Sequence, residues 1–292
     1  MSSNSLEPNR LDDLKLLQQY LETHFGKTIK KGAHRTTLED GIFMASNVRE
    51  NIPITVLLSD LKKGILDMEK FSEEHSGNIY NYIDPKYKKF AERMKDIKVG
   101  SNGGMANVGK GEIMISVCSG IDPESGEPCA TLLKNGKGDI NYNNKNEEIK
   151  WNGGKIVGDL TGRQVNEKFN KNLADDGQSI EDKKWVPFRS SDNNKYTQEK
   201  LEKLNALYFK AVSDETVDSL DNNQLKKKLI NLLFTNVFEK SDSIVMFNND
   251  GKFQRFFNLE EANLYYTDKL DSAKFECRAN QKNPVGLYCK VF

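Results

Sequence analysis

The sequence predicts an α/β protein of the α+β kind, with a helical region before a strand-bearing middle and helices and strands after it. Three observations predict it. Apolar residues recur at helical spacing through the first 95 residues. Short β-type segments separated by Gly- and Asn-rich turns fill the middle of the chain, around Thr131–Trp151. Beyond Ser243, strand signals alternate with one helix. A length of 292 residues suits about two domains, or one with additions. Composition divides the chain into a helical region at 1–97, a sheet-bearing core at 98–190, and a C-terminal region at 191–292 able to complete the core sheet.

The elements follow in order. Residues 1–10 read as a disordered lead-in, after which Leu11, Leu14, Leu17, Tyr20 and Leu21 mark a helix with Asn9 as its cap. Leu57, Leu58, Leu61, Ile65 and Leu66 mark a second over Ile52–Leu66. A third runs from Pro85, suited to a first helical turn, to Met94. Glycines between Lys98 and Gly111 lead into a helix over Glu112–Ser119. Gly120–Pro128 reads as a loop and Thr131–Leu133 as a short strand. Asp139–Tyr142 and Glu147–Trp151 form a hairpin turning at Asn143–Asn146. Helices are expected from Gly162 to Leu173 and through Thr197 to Phe238. The tail gives strands at Ser243–Phe247, Phe253–Phe257, Lys274–Cys277 and Gly286–Val291, an Asn249-Asp250-Gly251 turn, and a helix over Leu259–Leu270.

Charge and cysteine usage narrow the function. The 43 basic and 43 acidic side chains cancel, so an anionic partner has to be met by a local patch. Neutrality does not exclude nucleic acid. Cys118, Cys129, Cys277 and Cys289 contain no Cys-x-x-Cys pair, and only His24, His34 and His75 could complete a zinc site. They read as reduced thiols in a cytoplasmic protein. Met1–Arg10 has no apolar leader, and no run approaches the roughly 20 apolar residues that cross a bilayer, so no membrane association is expected.

The chemistry concentrates at Gly138-Asp139-Ile140 and Glu148-Ile149-Lys150. With Asp139 on one strand of a hairpin and Glu148 on the next, two carboxylates converge on one face, an arrangement that binds a divalent metal. Strand side chains alternate, so Lys150 joins Glu148 on that face while Ile149 and Trp151 go to the core. A Glu-x-Lys triplet alone is more often a solvated strand. The ordered set, with Glu112 on an upstream helix and Gly153-Gly154 after the triplet, is rarer.

That order resembles the PD-(D/E)XK nuclease superfamily, the restriction-endonuclease-like fold, over about residues 108–175. Gly111–Ile115, Lys137–Ile140 and Glu148–Ile156 look like members that phages encode. The resemblance implies a core with a mixed sheet flanked by helices, made of a helix, a three-stranded antiparallel meander, a second helix and a further strand. It implies a metal-dependent deoxyribonuclease, endonuclease rather than exonuclease, with DNA as partner. Asp139 and Glu148 carry over as metal ligands, Lys150 as the catalytic lysine and Glu112 as an extra helix carboxylate. Lys155 and Arg163 become candidates for gripping the DNA backbone. One departure stands out: Gly138 occupies the position before Asp139 where the motif has Pro.

Physical chemistry points the same way. Phosphodiester hydrolysis needs an activated water and neutralised charge on the phosphorane, and Mg²⁺ on carboxylate oxygens supplies both, with Mn²⁺ as substitute. Asp139, Glu148 and the Ile149 carbonyl would hold the ion, Lys150 would orient the water, and Glu112 would meet a second ion or the first ion's water shell. The alternative is a non-catalytic DNA-binding protein or a virion structural or packaging protein that keeps the fold. Partners left open are a second copy of the chain and a phage or virion protein. Gly104–Gly111 imitates a phosphate-binding loop poorly, because Gly111 stands where a magnesium-binding Ser or Thr belongs. The histidines read as surface or partly packed, Cys118 as core, and the aromatics Phe253, Phe256, Phe257, Tyr265 and Tyr266 as core before base-stacking.

Overall fold

The computed structural model describes residues 52–94, 109–133, 138–151, 156–158, 163–178, 184–185, 197–213, 222–270, 274–279 and 284–290, together with Leu16, Gln19, Tyr20, Thr23 and His24. The protein is α+β. Contacts gather it into two compact units that interleave in sequence, one of residues 1–152 and 241–255, the other of 153–240 and 256–292.

The first unit is built on a six-stranded mixed sheet. Its strands are β1 (Ser76–Asn78), β2 (Thr131–Leu132), β3 (Ile140–Tyr142), β4 (Lys145–Trp151), β7 (Ser243–Phe247) and β8 (Lys252–Phe256), in the order β1-β8-β7-β4-β3-β2. β2, β3 and β4 form an antiparallel meander, whereas β4 and β7 run parallel, Ile149 beside Val245. Residues from far down the chain thus complete this sheet.

Helices fill one side of that core. α1 (Ile54–Lys63) buries Leu57, Leu58 and Leu61, the expected apolar stripe. It stops short of Leu66, because the chain leaves helical space at Gly64, where φ is 90°. Ile65 and Leu66 stay buried beyond the helix, both N–H groups donating to the Cys118 carbonyl. α2 (Met68–Glu73), capped by Asp67, and β1 carry no legible signal of their own, so the first 95 residues are less uniformly helical than expected. A 3₁₀ turn at Pro85–Tyr87 precedes α3 (Lys88–Met94). α4 (Lys110–Cys118) buries Ile113, Met114, Ile115, Val117 and Cys118, the all-round burial of a core helix. Tyr20 and His24 are helical and buried: the Tyr20 hydroxyl lies 2.8 Å from the Val117 carbonyl and His24 Nδ1 3.2 Å from Ser116 Oγ. His24 is therefore more deeply packed than its polarity suggests. The rest of the proposed Leu11–Leu21 helix, its cap and residues 1–10 lie outside the described residues.

The second unit has a four-stranded antiparallel sheet. It is made of β5 (Ile156–Gly158), β6 (Lys184–Trp185), β9 (Lys274–Ala279) and β10 (Pro284–Lys290), ordered β5-β10-β9-β6. α5 (Arg163–Asp175) meets α6 (Gln198–Ser213) through Phe169 and Tyr208, whose rings lie edge to face at 5.4 Å. α7 (Asn222–Phe238) meets α8 (Leu259–Thr267) through Phe234 and Tyr266, stacked at 5.1 Å. The helical stretch expected over Thr197–Phe238 is thus two helices, and α8 ends at Thr267 instead of Leu270. Phe253, Phe256 and Tyr266 are buried, as the core reading of the aromatic tail expects, whereas Phe257 and Tyr265 are half-buried. Among the described residues no helix is long and apolar enough to cross a membrane.

Candidate active site

The hairpin that carries the acidic residues is tight. Asn143 and Asn144 form its whole turn, both at positive φ (48° and 62°), a conformation that Asn tolerates better than most residues. The turn is thus shorter than the expected Asn143–Asn146. Lys145 and Asn146 belong to β4, and the Asn141 amide donates to Asn146 Oδ1 at 2.8 Å. Continued one residue past the Ile140–Glu147 pair, this register would set Asp139 opposite Glu148. Side-chain parity then puts Asp139, Glu148 and Lys150 on one face, with Ile149 buried on the other.

The strand pairing changes at this point. Asp139 N–H still donates to the Glu147 carbonyl at 2.9 Å, but the Ile149 N–H goes to the side chain, Asp139 Oδ2, at 2.8 Å. Gly138 stands beside this change. Its φ is 88°, and a Cβ there would meet Ser241 Oγ at 3.0 Å and the Glu147 carbonyl oxygen at 3.2 Å. Proline, locked near −65°, cannot adopt this conformation.

Three oxygens surround the Lys150 ammonium. Nζ lies 3.0 Å from Asp139 Oδ2 and 3.2 Å from the Ile149 carbonyl oxygen, and it contacts Glu148 Oε1. Burial works to lower the Lys150 pKa, but the charges and hydrogen bonds of Glu148 and Asp139 outweigh it and hold the ammonium above its usual range.

Glu112 comes to this cluster from α4. It stands three residues after the N-cap Gly109 and hydrogen-bonds the Gly109 backbone, half of a capping box. The helix approaches closely because Gly111 has no side chain: a Cβ there would lie 2.8 Å from Ile149 Cγ2 and 3.1 Å from Trp151 Cε3. Glu112 is only 6% exposed. Burial, and next the charge of Asp139, push its carboxyl up to about 8, while the Gly109 hydrogen bond and Lys150 pull the other way.

Behind β4, on the face away from Lys150, sits a buried ion pair with no sequence signature. Arg255 on β8 is fully buried. Its Nε donates to Glu147 Oε1 at 2.8 Å, where Ser243 Oγ also donates at 2.8 Å. Arg255 Nη1 donates to the carbonyls of Phe71 and Glu74, and the guanidinium lies 4.4 Å from the Phe71 ring centroid. Residue 147, next to Glu148, is thereby tied to β7, β8 and the end of α2.

The donors present suit a hard cation: carboxylate and carbonyl oxygens converge on one point, and a positive group already rests among them. Among the described residues, however, no group of three or more His, Cys, Asp and Glu side chains stands arranged to hold a metal ion. Asp139, Glu148, Lys150 and the Ile149 carbonyl are brought together, with Glu112 close enough to feel the charges of Asp139, Glu148 and Lys150. Lys155, Gly153 and Gly154, the Gly104–Val108 part of the glycine-rich stretch and His34 lie outside the described residues. Arg163 begins α5, and its side chain also lies outside them. His75 is exposed and Cys118 fully buried. No family model, no curated protein and no solved structure matches the chain.

Proposed function

We propose that the chain is a metal-dependent nuclease that hydrolyses phosphodiester bonds in DNA, built on a restriction-endonuclease-like core and working in the cytoplasm. The observation that carries this reading is the meeting of Asp139 Oδ2, Glu148 Oε1, the Ile149 carbonyl and the Lys150 ammonium at the open end of the β3–β4 hairpin. Element order supports the core: α4, the antiparallel meander β2-β3-β4, then α5 later in the chain, and finally β7 beside β4.

Asp139, Glu148 and the Ile149 carbonyl are the groups to hold Mg²⁺, or Mn²⁺ in its place. The ion, when bound, supplies an acidified water and neutralises charge on the phosphate. Lys150 orients the attacking water and stabilises developing negative charge through its N–H donors. Glu112 keeps a further carboxylate beside the pair and takes or releases a proton there. Asp139 also accepts the Ile149 N–H, which fixes its Oδ2 against β4. Lys155 and Arg163 serve as contacts to the phosphate backbone, positioning the duplex without reading its sequence.

The test is cleavage of supercoiled plasmid and of linear duplex by the wild type and by Lys150→Ala, each with Mg²⁺, with Mn²⁺ and with EDTA. Metal-dependent cutting by the wild type and none by the variant is expected, and nicked plasmid would mark an endonuclease. Cleavage by Lys150→Ala at the wild-type rate would remove the role given to Lys150. No cleavage by folded wild-type protein in any lane would favour a DNA-binding or virion component that does not cut.

A further inference from the structure

The most informative feature of the site is where the Lys150 ammonium rests. An ammonium has three N–H donors and no acceptor. The three acceptors that Lys150 meets are Asp139 Oδ2, Glu148 Oε1 and the Ile149 carbonyl oxygen. These are the three oxygens that the nuclease reading gives to the metal. A compact point charge and a small divalent ion make similar demands on oxygen donors, and both cannot occupy one position. We infer that Lys150 is a placeholder: in the metal-free protein its ammonium stands in for the cation, and it must withdraw from the three oxygens before they can ligate a metal. The inference rests on the nuclease reading and adds a resting state to it.

Two consequences follow from the geometry. Without Lys150, the Asp139 and Glu148 carboxylates lose the ammonium that lies against both of them. The metal-free fold therefore depends on Lys150, and a bound cation can replace that dependence. Displacing the ammonium also subtracts from the affinity of the wild type, so the lysine that serves cleavage weakens metal capture. Lys150 becomes available to a phosphate only once the oxygens have taken a cation, which couples the two events.

The test is calorimetric titration of Mn²⁺ into the full-length wild type, Lys150→Met and Lys150→Gln, with Asp139→Asn to locate the site. Melting temperatures are recorded with and without the metal. Lys150→Gln keeps an N–H donor and guards against misfolding of the methionine variant. Both neutral variants are expected to bind Mn²⁺ at least about tenfold more tightly than the wild type, a change of about 1.4 kcal/mol. Metal-free Lys150→Met should melt below the wild type, with the gap closing on Mn²⁺ addition. If the wild type binds Mn²⁺, Asp139→Asn does not, and the neutral variants bind equally or more weakly, the placeholder is wrong while the metal site stands. No Mn²⁺ binding by any of the proteins overturns the placeholder and the metal site together.

Discussion

Gly138 and Glu112 show how single residues set the site. Gly138 reads in the sequence as a departure from a motif. Its meaning lies in a dihedral of 88°, which no sequence pattern records. Glu112 reads as an ordinary first-turn carboxylate. What distinguishes it is burial, together with the nearby charge of Asp139, and together they raise its carboxyl to about 8. The sign of the resulting pH dependence follows from linkage. Below about pH 4.5 the folded and unfolded chains both keep this proton, and the group has no effect. Between there and about 8 the unfolded chain releases a proton that the folded chain retains, so stability falls as pH rises, and above 8 the loss is complete. Glu112→Gln should therefore flatten the decline in stability of the metal-free protein between pH 5 and 8 and make it more stable than the wild type at pH 9. Denaturant unfolding at a series of pH values measures this, and an unchanged slope in the variant would exclude the carboxyl as its source.

At the scale of the element, β4 was the most legible part of the chain because its information is local. Strand side chains alternate with a period of two, which separates Glu148 and Lys150 from Ile149 and Trp151 without any tertiary knowledge. Its neighbours were less legible. The two-residue turn at Asn143–Asn144 depends on positive φ at both positions, and the run of Asn residues leaves several turns open. The support behind β4 was not legible at all, because Arg255 lies 108 positions from Glu147 and an Arg within Lys252–Phe256 carries no sign of its partner. Arg255→Met should destabilise the protein by about 3–5 kcal/mol, since the buried Glu147 carboxyl loses its guanidinium partner. The double variant with Glu147→Leu should recover part of that loss. Urea unfolding of both would decide it; a single variant within 1 kcal/mol of the wild type would show that water reaches Glu147 and the pair is not structural.

For the whole molecule, helices and strands were readable from periodicity, whereas the grouping into units was not. Units 1–152 with 241–255 and 153–240 with 256–292 alternate along the chain, an arrangement seen in the pairing of β4 with β7 and of β1 with β8. A fragment ending at Lys240 retains Glu112, Asp139, Glu148 and Lys150 yet lacks β7, β8 and Arg255. It should lose both cooperative melting and Mn²⁺ binding, and a fragment that binds Mn²⁺ as the full chain does would mean the hairpin needs no support from β7. The same pairing bears on synthesis. Glu147 and Ser243 are 96 positions apart. At roughly 5–20 residues per second, a ribosome takes several seconds to pass from one to the other. For that interval the nascent β4 has an open edge, so the frame around Asp139, Glu148 and Lys150 is complete only after β7 has been made.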